Sequence, residues 1–375
     1  MLLYIHIPFC LRKCNYCAFF SRPYSRELEQ VYLGALKKEI ELRSAPVKGT
    51  VITSIYLGGG TPTVLPAPVL ARIIDMVAAG FSLGQGVEFT IEANPETIAG
   101  KGHVLALREM GVNRLSLGVQ ALDDEILTLL GRKHSSSQAL KAARTARDAG
   151  MDNLSLDLIW GLPGQTLRSW VESLKTLVKL QPRHLSCYGL TVEPGTPLSA
   201  RVEKNEVRLP ADELQARMYI HGAEYLESEG YLQYEVSNFA RMGYASAHNT
   251  GYWDGKDFLG LGPSAVSSVG GVRWKNPAGI KDYAGLAMSS FQGLAEEEIK
   301  GRKFINERIM LSLRTSKGLS LKEYQHLTGE SFCRRFDSLI NILHQNHLVR
   351  VANGYLRLTK NGMLVSNSII ERFIS

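Results

Sequence analysis

Along the first half of the chain, short runs dense in apolar and β-branched residues alternate with longer stretches whose apolar positions recur every third or fourth residue. The runs Leu2 to Ile7, Ser54 to Leu57, Val87 to Ile91, Arg114 to Val119, Leu154 to Ile159 and His184 to Leu190 predict strands. Between them, Arg26 to Arg43, Ala67 to Ala79, Ser136 to Ala149 and Leu167 to Leu180 carry the spacing of amphipathic helices. Strand and helix in alternation predict an α/β fold with parallel strands and crossover helices. In such sheets the residues that meet ligands lie just past the strand C-termini.

After about residue 200 the rhythm changes to one helical stretch, Ala211 to Glu229, and then to a Gly- and aromatic-rich region through Trp274. From Ile299 onward, helices at Ser320 to Leu327 and Phe332 to His344 precede short strands at Leu348 to Ala352 and Gly354 to Leu358. The Asn353-Gly354 pair between those strands is a hairpin-turn signal. The expected organisation is a core over residues 1–240, an extension over 241–298 and a winged-helix-like C-terminal domain over 299–375.

Composition adds little until the charge is located. The chain has 375 residues, is 45% apolar and carries a net charge of +7, and residues 299–375 hold 13 Lys and Arg against 5 Asp and Glu. The basic excess thus belongs to the tail, where it suits acidic partners or phosphate. Phe332 to His344, however, carries only Arg334, Arg335 and Asp337 as charged groups, too few for a nucleic-acid recognition helix, so no nucleic acid is expected. No apolar run approaches the roughly 18 to 20 residues that span a bilayer. The opening MLLYIHIPF reaches a cysteine motif without a basic leader, and the expected location is the cytoplasm.

Three of the five cysteines, Cys10, Cys14 and Cys17, fall in HIPFCLRKCNYCAFF. A CxxxCxxC loop lets three thiolates hold three corners of a cubane cluster, leaving the fourth iron open to a small chelator. The rival reading is a structural zinc knuckle, which needs four closed ligands and usually a second CxxC pair, whereas Cys187 and Cys333 stand alone. Cys187, in a strand, reads as a buried inert thiol. Directly after the second strand comes YLGGGTPT, residues 56–63, where glycines either let backbone approach a ligand or simply form a tight turn.

CxxxCxxC with Tyr16 before its third cysteine resembles the signature of the radical S-adenosylmethionine (SAM) superfamily. The resemblance implies a [4Fe-4S] cluster on Cys10, Cys14 and Cys17, SAM chelating the open iron, and a partial (β/α) TIM-like barrel. The hard chemistry would then belong to cluster and SAM, and no catalytic acid, base or nucleophile is singled out. Gly59, Gly60 and Thr61 match the segment that contacts the methionine amine of SAM. Tyr4, Glu92 in EANPE, Gln120 in NRLSLGVQ, Arg132 in GRKHS and Asp157 in DLIWGLPGQT extend the match over nearly the whole chain to the oxygen-independent coproporphyrinogen III oxidase family. There the corresponding residues contact SAM, with the Gln, Arg and Asp serving a second SAM molecule.

The decarboxylating oxidases of that family carry a fourth cysteine and a long arm ahead of the motif. Here Phe19 stands at the fourth-cysteine position and nine residues precede Cys10. Both departures point to the family's haem-chaperone branch, which also carries HNxxYW, present as His248 to Trp253. The resemblance implies haem binding at His248 and delivery to haem-accepting proteins, respiratory haem enzymes among the candidates. A neutral imidazole suits an axial ligand to haem iron, with Tyr252 and Trp253 as flat walls, while the same residues equally suit a locally hydrogen-bonded histidine amid core aromatics. A radical SAM oxidoreductase acting on a porphyrinogen is the alternative function. His6 reads as a residue that orients the cysteine loop.

Overall fold

The computed structural model describes residues 1–374. Six strands form the parallel scaffold: β1 (Leu2–Ile7), β2 (Val51–Gly59), β3 (Ser82–Ala93), β4 (Arg114–Gln120), β5 (Asn153–Trp160) and β6 (His184–Gly189). They pair side by side in chain order, as the predicted alternation requires, and a seventh strand, β7 (Phe258–Leu261), joins β1 in parallel. Helices such as Arg26–Ser44, Ala67–Gly80, Ser136–Asp148 and Leu167–Val178 cover one face. The result is an open, partial (β/α) barrel with the predicted strands and helices within a few residues of their expected bounds.

The strands alternate sharply. Leu3, Ile5, Ile7, Ile55, Leu57, Leu115, Leu117, Leu154 and Leu156 are buried in the main apolar core, which also takes in Tyr32 and Leu36 from the first helix. The positions between them are Tyr4, His6, Ser54, Tyr56, Thr90, Glu92, Arg114, Ser116, Ser155 and Asp157, and several of these bond to one another, along a strand or across two. Parallel strands covered by helices on both faces read as continuous apolar runs. Here one face is polar because it lines the lumen of the barrel.

Residues 241–298 continue the same sheet, since β7 lies against β1 and leads to strands Val266–Val269, Val272–Lys275 and Glu296–Glu298. The last of these forms one edge of the sheet, its three glutamates all exposed, and the two-residue strand Leu232–Gln233 forms the other. Glu39 fastens this region to the first helix. Its fully buried carboxyl accepts hydrogen bonds from Gly262 N–H at 2.8 Å, Asn276 Nδ2 at 2.7 Å and Tyr283 O–H at 2.6 Å.

The C-terminal unit packs a second core, including Ile309, Leu313, Tyr324, Phe332, Leu356 and Phe373, against Tyr219 of helix Asp212–Ser228. Strands Val349–Ala352 and Tyr355–Leu358 turn at Asn353 and Gly354, both with positive φ (54° and 79°), as an Asn-Gly hairpin demands. The predicted helix over Phe332 to His344 is broken at Phe336 into Phe332–Arg335 and Asp337–Gln345. Phe336 leaves helical geometry while its ring packs 4.7 Å from Phe332 and 5.1 Å from Phe373, so aromatic packing overrides local periodicity. Among the described residues no helix is long and apolar enough to cross a membrane.

Burial raises Glu39, Glu92 and Glu235 to pKa values of about 7, above the ordinary 4.5, against the pull of their hydrogen-bond donors. Each therefore holds its proton more tightly folded than unfolded. Their contribution to stability is full below pH 4.5 and is lost as pH rises through about 7. Buried neutral imidazoles such as His184 and His248 act in the opposite sense, so the test is a difference: in urea unfolding of the apoprotein between pH 5 and 8, Glu39→Gln should lose less stability with rising pH than wild type, because this carboxyl no longer titrates. An unchanged slope in the variant would remove Glu39 from this account.

Candidate functional site

The cysteine loop is fastened at both ends. Phe9–Cys10 pairs with Arg22–Pro23, and Asn15 is pinned by its N–H to Leu130 O at 2.9 Å and its Nδ2 to Leu129 O at 2.8 Å. His6 adds a strut, with its Nε2–H donating to Phe20 O at 2.9 Å while Nδ1 accepts from the Tyr4 hydroxyl at 3.1 Å. This is the orienting role expected of His6, and Tyr4 reaches the loop through it.

The glycines of β2 make room first for the chain itself. A Cβ on Gly60 would lie 2.4 Å from Phe9 O and 2.9 Å from Ile7 O, and one on Gly59 would strike the His6 ring at 2.4 Å. Gly59 also has φ +105°, a conformation that L side chains rarely adopt. The close approach lets Gly60 N–H donate to Ile7 O at 2.8 Å and Thr61 N–H to Phe9 O at 2.7 Å. The glycine loop is thereby bound to the base of the cysteine loop.

From that junction a chain of hydrogen bonds runs between two of the thiols. Thr61 O–H donates to Cys10 Sγ at 3.6 Å and accepts from Asn94 Nδ2 at 2.9 Å. Asn94 Oδ1 accepts from Arg132 Nη2 at 2.6 Å, and Arg132 Nη1 donates to Cys14 Sγ at 3.5 Å. Arg132 Nη2 also donates to Gly118 O at 2.9 Å. Thus Thr61 and Arg132 stand beside sulfur. Asn94 is the member the motif reading passed over, although Asn-Pro after a strand marks a capped turn, and Asn94 does cap Pro95–Thr97.

All five cysteines are free thiols. Burial pushes the Cys10 and Cys17 thiols up, with hydrogen bonding from Thr61 and the charge of Arg132 pulling Cys10 back. Metal loading would therefore release protons from this loop. Among the described residues no three His, Cys, Asp or Glu side chains converge on one metal ion. Three thiols on one short loop are the donor set of an iron-sulfur cluster with one open iron, and not the four-ligand set of a closed zinc site. Cys187 is buried in the core with its thiol pushed up by burial, as an inert cysteine should be.

Glu92 lies one strand further round. Its Oε1 accepts from Tyr56 O–H at 2.8 Å and its Oε2 from Gly59 N–H at 3.1 Å, so it braces the glycine loop from the lumen. Gln120 ends β4 with φ +67° at an irregularity in the β4–β5 register, and its amide closes over Gly118 beside Asn94 and Arg132. Such strained backbone at a strand end is held only where the surroundings enforce it. Asp157 accepts from Ser116 O–H at 2.7 Å and Ser155 O–H at 2.8 Å, its carboxyl pushed up by burial. The structure therefore brings Cys10, Cys14, Cys17, Tyr4, Gly59, Gly60, Thr61, Glu92, Gln120 and Arg132 to one end of the sheet, with Asp157 in register with Gly118 beside them.

His248 lies toward the other end. It belongs to helix Ala247–Trp253, is 1% exposed, and its Nδ1 meets Ser54 Oγ at 2.9 Å near the start of β2. Tyr252 stands edge-on at 85° and Tyr56 is tilted over the ring. The helix is capped by a second strand-borne group, Glu88, whose carboxylate accepts from the N–H groups of Ala247 and His248. In place of an open imidazole between flat aromatic walls there is an enclosed one. Burial lowers its pKa to about 3, so it is neutral, and its Nε2 has no hydrogen-bond partner among the described residues.

Comparison with known proteins matches these features. Residues 4–177 fit the model of the radical SAM superfamily, and residues 300–365 that of the HemN C-terminal domain. The heme chaperone HemW of Bacillus subtilis is 35% identical over 99% of this chain and 98% of its own length. That of Escherichia coli is 34% identical over 100% of this chain and 98% of its own. Among solved structures, coproporphyrinogen III oxidase (HemN) from Escherichia coli, a radical SAM enzyme, superposes with a TM-score of 0.84 at 25% identity, covering 100% of this chain and 90% of that one. With its rim of three thiols and these full-length matches, the chain belongs to the HemW heme-chaperone family of the radical SAM superfamily.

Proposed function

We propose that this protein binds haem and passes it to haem-accepting proteins, with a [4Fe-4S] cluster on Cys10, Cys14 and Cys17 and SAM seated on the adjoining rim. The observation that supports the rim assignment is the hydrogen-bonded chain from Cys10 through Thr61, Asn94 and Arg132 to Cys14. It supplies a donor and a positive charge to Cys10, whose thiol burial pushes up, and a donor to Cys14. When bound, the cluster supplies an electron and an open iron position for the amino and carboxylate groups of SAM. Gly59, Gly60, Thr61, Glu92 and Tyr4 would hold SAM from the strand ends, with Gln120, Arg132 and Asp157 placed for a second molecule.

Phe19, 68% exposed, occupies the position of the oxidase family's fourth cysteine and offers no thiol there. The likeness to the HemN structure favours oxidation of a porphyrinogen as a second reading, and turnover separates the two. For haem, His248 is the proposed axial ligand through Nε2. A neutral imidazole with an unshared nitrogen suits iron, and Ser54 can fix the required tautomer by accepting from Nδ1–H. Because the ring is enclosed, helix Ala247–Trp253 must shift for haem to reach it.

Three experiments test this. Replacing Cys10, Cys14 and Cys17 together with Ala should abolish the cluster absorption and its four irons after anaerobic reconstitution, whereas Cys187→Ala and Cys333→Ala should leave both; a triple variant that still loads four irons sinks the assignment. Purified wild-type protein should bind haem stoichiometrically and produce no decarboxylated product from coproporphyrinogen III; robust conversion would replace the carrier reading with the enzyme. His248→Ala should weaken haem binding and shift the haem absorption band with the cluster fully loaded. Unchanged affinity and spectrum would make His248 a structural residue of the barrel.

A further inference from the structure

Arg114 opens β4 from inside the barrel, with Thr90 beside it on β3 and Asn153 beside it on β5. The residue is 1% exposed, one of the largest fully buried side chains of the protein. Among the described residues its guanidinium joins no ion pair, and its Nε has no hydrogen-bond partner. Buried arginines are ordinarily paired and hydrogen-bonded, because an isolated charge withdrawn from water is costly. The fold has placed one here without either.

The nearby acids do not serve it. Glu92 and Asp157 feel its charge, but their oxygens are turned to Tyr56 and Gly59, and to Ser116 and Ser155. His184 and His248 also lie within reach of its field, and burial holds both imidazoles toward the neutral form. Next to it the Thr90 hydroxyl, 0% exposed, is likewise unpartnered. The guanidinium and the Thr90 hydroxyl, on neighbouring strands, donate to no described residue, and the Asn153 Oδ1 on the other side is also without a partner; the unspent donors are the set an anion site needs.

We propose that the lower lumen of the barrel is a carboxylate-binding chamber, with Arg114 as the anion-receiving residue and Thr90 as a second donor. A planar guanidinium matches a carboxylate in a two-point pair, which lysine does not reproduce. The chamber is distinct from the rim where Arg132 faces sulfur. The carboxylate belongs either to a small free acid or to the propionate arm of haem, and the chemistry of recognition is the same for both. The free-acid arm stands without the haem reading.

The test uses the full-length protein with its cluster reconstituted. Calorimetric titration with propionate should give saturable binding, weakened at least tenfold by Arg114→Met and by less in Arg114→Lys. Haem and haem dimethyl ester, followed by absorption, separate the sources. A preference for haem over its ester that disappears in Arg114→Met assigns the chamber to the haem propionate, and propionate binding without that preference assigns it to a free acid. Arg114→Met should fold at least as stably as wild type, since methionine leaves no charge in want of a partner, whereas a structural arginine would lower the melting temperature. If that variant does not fold, Thr90→Val and Arg114→Lys carry the test through weakened propionate affinity. Absence of saturable binding in wild type together with equal affinity for haem and ester, or binding indifferent to these substitutions, overturns the proposal and leaves Arg114 served by solvent alone.

Discussion

The approach of Gly60 to the carbonyls of Ile7 and Phe9 governs the geometry of the rim. Two backbone hydrogen bonds are made there only because no Cβ intervenes, and they join the end of β2 to the root of the cysteine loop. Thr61 is carried to Cys10 by this junction, Asn94 to Thr61, and Arg132 to Asn94. A methyl group at Gly60 would force apart the two segments whose contact sets the direction of every donor near sulfur. The glycines thus act on the site through backbone packing, one step removed from any ligand.

Beneath the rim, the barrel resolves a conflict between burial and polarity. Helices shield one face of the strands with leucine and isoleucine, while the other face carries Tyr, Ser, Glu, Asp, His and Arg that solvent reaches only in part. Most of these groups satisfy one another in cross-strand pairs such as Ser116 with Asp157 and Ser155 with His184. Buried polar networks of this kind are stable where complete and costly where incomplete. Incomplete positions such as Thr90, Arg114, Asn153 and His248 are therefore informative about ligands in a way that the satisfied ones are not.

Much of this was legible in the sequence, for definite reasons. The six strands announced themselves through short apolar runs, and the cysteine and glycine motifs fell at their C-terminal ends because chemistry on this scaffold collects there. The polar lumen was visible as alternation, in Ser116 between Leu115 and Leu117 for example, but not its pairing, which depends on register between strands. Glu39 gave no local signal: its three donors come from more than 200 residues away along the chain. The split at Phe336 was hidden for a similar reason, since Phe373 is distant in sequence. His248 was found by its motif, yet no motif reports that a ring is enclosed.

The outermost strand, Glu296–Glu298, bears on how copies of the protein meet. An open barrel leaves two sheet edges, and an unpaired edge offers its N–H and C=O groups to any other extended chain. The opposite edge strand is only two residues long, too short to template much pairing. At this edge, two copies joining strand to strand in antiparallel fashion would set glutamate against glutamate across the new ladder, where like charges repel. The acidic strand therefore disfavours extension of the sheet by a second copy at this edge.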